Sequence, residues 1–299
     1  AGYLFKLDDD AETSFFGLGA MASSNGSQAY GLATDVAFRS GWKLDAALAN
    51  ADIKYDLFFD RVALPIRQTG ELFNGGLDYD LTETVSVGGT FRYLNTTISL
   101  NTSDTDIPID LLPDLELELM SVGARALWDQ RDDTDYPTQG SRLTITANHG
   151  FTLSGESRGY EYGAINYDTY RPLGAQSVLA TRATICGAST DAPFFDKCSL
   201  GFIDAFRGFS PTQFYDDRLI SAQVEYRQRL GKRFGFVVFG GLGWTAPSFS
   251  DFSDDGERAA VGAGGRYRVS QKFPVDLSVD VTYSNDEEGQ LYIYVGQRF

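Results

Sequence analysis

The sequence predicts an all-β protein, a closed antiparallel β-barrel that crosses an outer membrane with about fourteen strands. Three observations lead to this fold class. Many short segments alternate between apolar and polar residues with a period of two. No stretch approaches the roughly 18 to 20 consecutive apolar residues that a membrane-spanning helix needs. Glycine and aromatic residues are frequent, at 32 glycines and 14% aromatics, which is typical of barrel walls. A soluble β-sandwich or propeller is the alternative.

The alternation is clearest near the end of the chain. In residues 275–283, apolar side chains alternate with polar ones that include Asp276 and Asp280. In residues 220–229, charged or polar side chains again occupy every second position. A charge on every second residue needs water on one face, whereas the apolar face needs hydrocarbon. A barrel with a polar lumen and a lipid-facing exterior provides both.

Fourteen strands are predicted, with twelve and sixteen as alternatives, because a closed bacterial barrel has an even number. In chain order they cover residues 13–23, 27–38, 42–57, 68–81, 85–100, 116–129, 141–150, 160–173, 177–188, 220–229, 234–244, 259–269, 275–283 and 289–299.

The connections between these strands alternate in length. The mostly short ones are 39–41, 82–84, 130–140, 174–176, 230–233 and 270–274. The mostly longer ones are 58–67, 101–115, 151–159, 189–219 and 245–258. Outer-membrane barrels have short periplasmic turns and long external loops. We therefore expect both termini in the periplasm, with residues 1–12 as a periplasmic lead-in and residues 13–299 as the transmembrane barrel.

Charge and cysteine content restrict the partners. The net charge of −16 argues against nucleic acid, because phosphate backbones need a basic face. Cys186 and Cys198 do not have the spacing of a zinc site. In an exported protein they would form a disulfide, with two free thiols as the alternative. The sequence carries no signal peptide, so we expect it to be a mature or trimmed form.

Three segments of the carboxy-terminal half resemble one family. They are D-Q-R-D…Y-P-T-Q-G at residues 129–140, F-R-G-F at residues 206–209, and the ending G-A-G-G-R-Y…Y-I-Y-V-G-Q-R-F that finishes at Phe299. Together, over roughly residues 116–299, they resemble the BamA/TamA superfamily of outer-membrane assembly and secretion barrels. The chain departs from that family in lacking its amino-terminal POTRA domains, in having about fourteen strands where sixteen are usual, and in having Gly241 where an aspartate is usual.

The resemblance implies a site formed by the long loop. The family's arginine, here Arg207, folds into the lumen and meets an acidic residue of the wall, where a guanidinium would bind a carboxylate. Gly208 would let the loop turn tightly, and Phe209 completes the motif. A solvated loop arginine is the alternative. The candidate lumen partners are Glu225 first, and then Asp276 and Asp280.

Two further features of the carboxy-terminal half are the terminal phenylalanine and a group of glycines. Phe299 resembles the terminal aromatic signal that the barrel assembly machinery reads during insertion, and we expect it to anchor the last strand at the membrane interface. The glycines at 240, 241, 243, 262, 264 and 265 either leave lumen space for the loop or bend the sheet.

No catalytic site, metal site or cofactor is predicted. His149 lies beside polar loop residues and is interpreted as a surface residue rather than a catalytic one. The acids Asp104, Asp106, Asp110 and Asp114 are interpreted as a solvated loop, with divalent cations that bridge lipopolysaccharide as the alternative.

The resulting hypothesis is a barrel of the BamA/TamA superfamily in a Gram-negative outer membrane that acts in protein or lipid insertion or translocation. Its expected partners are outer-membrane lipid and lipopolysaccharide, the assembly machinery during its own insertion, and client outer-membrane proteins. The alternatives are a passive structural barrel or small pore, and the membrane anchor of a longer protein.

Overall fold

The computed structural model describes residues 2–8, 13–59, 62–101, 114–154, 159–253, 256–269, 275–286 and 289–299. The strands are β1 (Gly2–Phe5), β2 (Ser14–Ala22), β3 (Gln28–Ala37), β4 (Trp42–Phe59), β5 (Val62–Asp80), β6 (Val85–Leu100), β7 (Leu115–Asp129), β8 (Gly140–Thr152), β9 (Gly159–Pro172), β10 (Ser177–Ala188), β11 (Cys198–Ser199), β12 (Tyr215–Asp216), β13 (Arg218–Leu230), β14 (Phe234–Ala246), β15 (Arg258–Arg268), β16 (Asp276–Ser284) and β17 (Gly289–Val295). A short 3-10 helix spans Phe194–Asp196.

The predicted all-β class is confirmed. Fifteen strands form one antiparallel sheet in the order β1 to β10 followed by β13 to β17, and β11 pairs with β12 separately. A strand occurs at each of the fourteen predicted positions. Within the described part of the chain, no helix combines the length and apolarity needed to cross a membrane.

The side-chain pattern of β16 is the reverse of that of a strand in a water-soluble protein. In β16 the polar residues are buried and the apolar residues are exposed. Asp280 is 0% exposed, for example, whereas its neighbour Val281 is 59% exposed. Charged residues are almost never fully buried unless they are paired. The buried face of this sheet must therefore supply partners for its charges, and the exposed face suits a non-aqueous surrounding.

The chain forms two compact units, and the division crosses β7, β8 and β9. The first unit contains residues 1–126 and 146–161. In it β1 to β6 pair in chain order. Arg125 donates hydrogen bonds to Asp45 and to Asp78, the latter at 2.6 Å from Nε.

The second unit contains residues 127–145 and 162–299. It holds β10 and β13 to β17, paired in that order, together with the connection between β10 and β13. We call residues 189–217, which form this connection, the long loop. A buried apolar cluster in this unit contains Tyr170, Val178, Ala180 and Phe299.

Three expectations about the strands are corrected. A strand, β1, lies in the amino-terminal segment where none was predicted, because residues 2–5 pair with β2. The predicted loop 58–67 is largely strand, since β4 and β5 pair as far as Phe59 and Val62, with Pro65 included in β5. The last strand ends at Val295 rather than at Phe299, because Gly296 has a positive φ of 93° and turns the chain.

Candidate functional site

The strands of the second unit present one polar face. Residues paired across an antiparallel ladder point to the same side of a sheet, so Glu225 on β13 and Asp280 on β16 share a face. We call this side of β13–β17 the polar face. One row of paired residues across it is Glu225, Phe239, Gly262, Thr282 and Gln290. The adjacent row is Arg227, Val237, Gly264, Asp280 and Tyr292.

The base of the long loop is tied to β10 by a disulfide, and its two ends are joined by hydrogen bonds. Cys186 and Cys198 are joined by a disulfide. Lys197 donates a hydrogen bond to the Asp217 carboxylate, and Thr190 donates another at 2.8 Å. Burial alone would raise the pKa of Asp217, but these hydrogen bonds outweigh it and hold the pKa below its ordinary value.

Inside the loop, Asp204 organises the chain before the arginine. Its side chain is fully buried. It accepts hydrogen bonds from the backbone N–H groups of Gly201 at 2.8 Å and Phe206 at 3.1 Å, and from the Ser221 hydroxyl at 2.6 Å. Its carbonyl oxygen accepts from Gln223 at 2.8 Å. The loop is therefore attached to β13 through side chains as well as at its base.

Arg207 lies against the polar face and is 2% exposed. Its Nη2 is 2.6 Å from Oε2 of Glu225, and its Nη1 is 2.6 Å from Oδ2 of Asp280. The guanidinium also lies over the ring of Phe239, 3.4 Å from its centroid. Both carboxylates are 0% exposed. The arrangement is a buried, charge-assisted bridge between the loop and two strands.

Both carboxylates have further cationic partners. Arg227 donates to Glu225 at 2.7 Å, and Arg266 donates to Asp280. Tyr294 also donates to Asp280, at 2.7 Å. A buried carboxylate is stable only when its charge is compensated and its lone pairs accept hydrogen bonds. The polar face meets both conditions with residues of four different strands and the loop.

The two residues after Arg207 complete the docking. Gly208 has a φ of 119°, and its N–H donates to the Tyr292 hydroxyl at 2.8 Å. A Cβ at position 208 would lie 2.6 Å from Cβ of Ala260, so only glycine allows this approach. Phe209 is 2% exposed, and its ring packs edge-on against Phe214 with centroids 5.3 Å apart.

Glycines of β14 make room for the loop. A Cβ at Gly241 would lie 2.7 Å from the Phe206 ring, and a Cβ at Gly243 would lie 2.5 Å from Leu200. Of the two interpretations of the glycine-rich segment, the structure favours space for the loop at these two positions. The docked loop also explains why position 241 is a glycine rather than an aspartate, because the Phe206 ring occupies the space that a side chain at position 241 would need.

Asp276, the third candidate partner, does not contact Arg207. It accepts hydrogen bonds from Arg229, from Arg268 at 3.0 Å and from Gln297 at 2.8 Å. The ring of Tyr136, from the turn between β7 and β8, covers these two arginines, with centroid distances of 4.2 Å to Arg229 and 4.9 Å to Arg268.

Phe299 lies on the buried side rather than at an exposed edge. It is 6% exposed and packs in the apolar cluster with Tyr170, Val178 and Ala180. The guanidinium of Arg182 lies 5.1 Å from its ring centroid. The expectation that it anchors β17 at the membrane interface is therefore wrong, because the turn at Gly296 interrupts the alternation and redirects the last residues.

The remaining sequence-predicted features lie outside this site. The exposed His149 is 3.3 Å from Glu161, between Nδ1 and Oε1. Three of the loop acids, Asp104, Asp106 and Asp110, lie outside the described residues. Over the ranges that the structure describes, no group of three or more histidine, cysteine, aspartate or glutamate residues could hold a metal ion.

Sequence reasoning missed several residues of the site. Tyr292, Tyr294 and Arg266 could have been found, because strand alternation puts them on the same face as Asp280. Tyr136 belongs to the quoted Y-P-T-Q-G segment, but its contacts with Arg229 and Arg268 could not be predicted, since a turn residue has no periodicity that fixes its direction. Phe206 was part of the recognised motif, but its complementarity with Gly241 depends on the docked position of the loop.

The amino-acid sequence matches the model of one protein family. The model of the Omp85 superfamily domain matches residues 15–299. Among curated proteins there is no significant match.

Solved structures share the fold at low sequence identity. BamA from Haemophilus ducreyi lacking POTRA domains 1–3 aligns over 99% of this chain and 68% of its own, with a TM-score of 0.64 and 14% identity. CdiB from Acinetobacter baumannii aligns over 95% of this chain with a TM-score of 0.60 and 12% identity. CdiB from Escherichia coli aligns over 95% with a TM-score of 0.61 and 14% identity. This chain spans 52% and 55% of the two CdiB chains.

Proposed function

Since the chain belongs to the Omp85 superfamily, we propose that it is an outer-membrane barrel that inserts proteins into that membrane or translocates them across it. The superfamily consists of transport and insertion barrels rather than enzymes. The observation that carries the proposal is the docking of Arg207 between Glu225 and Asp280, because a passive wall does not require a loop bound to its polar face.

The proposed architecture is a closed transmembrane barrel whose lumen is lined by the polar face. The reversed burial pattern supports it, because exposed apolar residues suit lipid and buried charges suit an interior. Closure is required on energetic grounds, since unpaired strand edges in hydrocarbon are costly. Fourteen strands, β2 to β10 and β13 to β17, correspond to the predicted barrel of residues 13–299. Residues 1–12 would be the periplasmic lead-in, to which β1 adds a short paired segment.

In this arrangement the turns 82–84 and 174–176 face the periplasm and the long loop starts outside and enters the lumen. Both termini are then periplasmic. The proposed partners are outer-membrane lipid and lipopolysaccharide, the barrel assembly machinery during insertion of this chain, and client outer-membrane proteins. Phe299 is proposed as part of the insertion signal, in addition to its place in the folded structure. No covalent chemistry and no cofactor are part of the proposal.

The proposal is tested with the whole chain reconstituted in lipid vesicles. A small urea-unfolded outer-membrane barrel is added, and its folding is followed by the mobility shift of the folded form in gels. We expect faster folding than in empty vesicles, and slower folding with Arg207→Ala than with the exposed control Arg233→Ala. No acceleration by the intact chain, together with a large steady conductance in planar bilayers, would instead identify a passive pore.

A further inference from the structure

The carboxyl group of Asp204 differs from the other buried carboxyl groups around the docked loop. Four of these are 0% exposed and each accepts hydrogen bonds from two arginines, and they are Asp168, Glu225, Asp276 and Asp280. Asp204 is also 0% exposed, but its three hydrogen-bond partners are neutral. Within the part of the chain that the structure describes, it forms no ion pair. A buried charge without a compensating cation is costly.

The hydrogen bonds of Asp204 suit a neutral carboxylic acid. Its Oδ1 accepts from the backbone N–H groups of Gly201 and Phe206, as a carbonyl oxygen with two lone pairs can do. Its Oδ2 lies 2.6 Å from the Ser221 hydroxyl oxygen. A protonated Oδ2 can donate to that oxygen, because a hydroxyl group both donates and accepts. Burial raises the pKa of the Asp204 carboxyl above its ordinary value, and these hydrogen bonds offset only part of the effect.

The charged groups near Asp204 already have partners. Nη1 of Arg182, on β10, lies 3.5 Å from the Asp204 carbonyl oxygen, but Nε and Nη2 of Arg182 bind Asp168 on β9 at 2.6 and 2.8 Å. On β13 the neighbours of Asp204 are the neutral Ser221 and Gln223, and the residues of β14 paired with them are glycines. The remaining cations of the loop and the packed strands are Arg207 and Arg227 on Glu225, Arg266 on Asp280, Lys197 on Asp217, Arg218 on two backbone carbonyls and Arg258 on the ring of Phe214.

Asp204 also holds the backbone that brings Arg207 to the polar face. The two N–H groups bonded to its Oδ1 lie three residues before it and two residues after it, so they bracket Ala205. Ala205 has a positive φ of 55°. A residue other than glycine keeps such a conformation only where its surroundings fix it. If the Asp204 side chain left its place, Ala205 could relax, and Arg207 would be drawn away from Glu225 and Asp280.

From these observations we propose that Asp204 is a positioning residue that docks the long loop in its neutral, protonated form, and that its ionisation loosens the contact of Arg207 with the polar face. On ionisation the proton of Oδ2 passes to water and leaves a buried carboxylate without a cation. Undocking exposes that carboxylate to water, where the charge is solvated. The inference concerns the docking of the loop and does not require that the chain insert or translocate proteins.

The direction of the pH dependence distinguishes Asp204 from the acids that are paired with arginine. A carboxyl whose pKa is higher in the docked state stabilises docking fully below its undocked pKa, about 3.9 for aspartate. That stabilisation is lost as pH rises through the docked pKa. Protonation of a carboxylate paired with arginine would instead loosen the loop as pH falls. Docking that weakens with rising pH therefore points to Asp204.

The test is hydrogen exchange of the Gly208 amide in the whole chain in detergent, between pH 4 and pH 8. This amide donates to the Tyr292 hydroxyl in the docked loop, and its protection is expressed relative to the exchange rate of an unstructured chain at the same pH. In the wild type we expect protection to fall as pH rises. The fall should be up to about tenfold for each pH unit between the undocked and docked pKa values of Asp204.

Asp204→Asn is the matched variant. Its amide oxygen can accept from both backbone N–H groups, and its amide nitrogen can donate to Ser221 as the protonated acid would. We expect its Gly208 protection to be independent of pH and at least as high as that of the wild type at pH 8. Asp191→Asn, at an exposed acid of the same loop, should keep the wild-type pH profile.

Three results would overturn the proposal. The first is protection of Gly208 in the wild type that stays constant or rises between pH 4 and pH 8, which needs no variant to fold. The second is a pH profile of Asp204→Asn equal to that of the wild type. The third is a folded Asp204→Asn variant whose Gly208 amide is unprotected at every pH, since docking would then need the carboxylate itself.

Discussion

The ring of Phe206 fills the space that any side chain at position 241 would need. A Cβ added to Gly241 would lie 2.7 Å from Cε2 of Phe206 and 2.8 Å from the carbonyl oxygen of Ala222. The absence of an acid at position 241 and the pairing of Arg207 with Glu225 and Asp280 therefore both follow from the docked position of the loop. The loop brings an aromatic ring to β14, and its arginine contacts carboxylates on β13 and β16.

Gly241→Ala should consequently push Phe206 away from β14. We expect a loss of about 1–3 kcal/mol in the free energy of unfolding, as for other overpacked sites, and faster proteolysis within the long loop. The matched control is Gly265→Ala, because a Cβ at Gly265 meets no atom within 4 Å. Equal thermal midpoints and equal cleavage for the two variants would show that Phe206 is not held at β14.

Arg207→Ala should release the loop while leaving each carboxylate with another arginine. Because the bridge is fully buried, we expect a loss of about 3 kcal/mol, the lower part of the range for broken buried pairs. Arg207→Lys should recover only part of it, since an ammonium cannot reach both carboxylates with a planar fork. Urea unfolding and hydrogen exchange of the Gly208 amide measure both effects. Exchange at Gly208 that is unchanged in Arg207→Ala would contradict the docked position.

The strands could be predicted from the sequence because their alternation is directly readable. Residues 276–284 show it most clearly, and the structure buries every polar residue and exposes every apolar residue of that segment. The pairing of Cys186 with Cys198 could not be decided from the sequence, because a separation of twelve residues suits both a disulfide and two free thiols, and only the approach of β11 to β10 brings the two residues together.

The direction of the last four residues could not be predicted from the alternation of β17. The alternation of β17, extrapolated past Val295, put Phe299 on the exposed face with Leu291 and Ile293. One residue with positive φ, Gly296, breaks that extrapolation, and glycine tolerates both signs of φ. Likewise, the sequence ranked Glu225 first among the partners of Arg207 but could not distinguish Asp276 from Asp280, which are charges on one face of one strand. Only the register of β13 to β16 assigns Asp280 to Arg207 and Asp276 to Arg229 and Arg268.

Phe299→Ala should reduce the stability of the folded chain as well as its insertion. The ring packs among Tyr170, Val178 and Ala180, so its loss should cost about 3–5 kcal/mol, as for other buried phenylalanines. The temperature at which the folded band disappears in gels measures stability, and the amount in outer-membrane fractions measures insertion. Phe202→Ala, at a residue that is 69% exposed, is the control. A fall in insertion with unchanged stability would restrict Phe299 to a role in the insertion signal.

The proposed orientation can be tested with single cysteines at Ser250 and Glu83. Both positions are exposed, Ser250 between β14 and β15 and Glu83 between β5 and β6. If turns such as 82–84 are periplasmic, a membrane-impermeant maleimide should label position 250 in intact cells and position 83 only after the outer membrane is permeabilised. The native cysteines are already bonded and serve as the unlabelled background. The reverse labelling pattern would invert the proposed topology.

The base of the long loop should respond to acid through Asp217. Burial raises the pKa of this carboxyl, but hydrogen bonds from Lys197 and Thr190 lower it below its ordinary value, which is about 3.9 for aspartate. A pKa that is lower in the folded state contributes stability that is complete above the unfolded pKa and is lost as pH falls through the folded pKa.

Asp217→Asn should therefore be less stable than the wild type at pH 7, and the difference in thermal midpoint should shrink below about pH 4. Asp191→Asn, at an exposed acid of the same loop, should follow the wild type throughout. A difference between Asp217→Asn and the wild type that stays constant from pH 7 to pH 3 would mean that the Asp217 carboxylate is not held by Lys197 in solution.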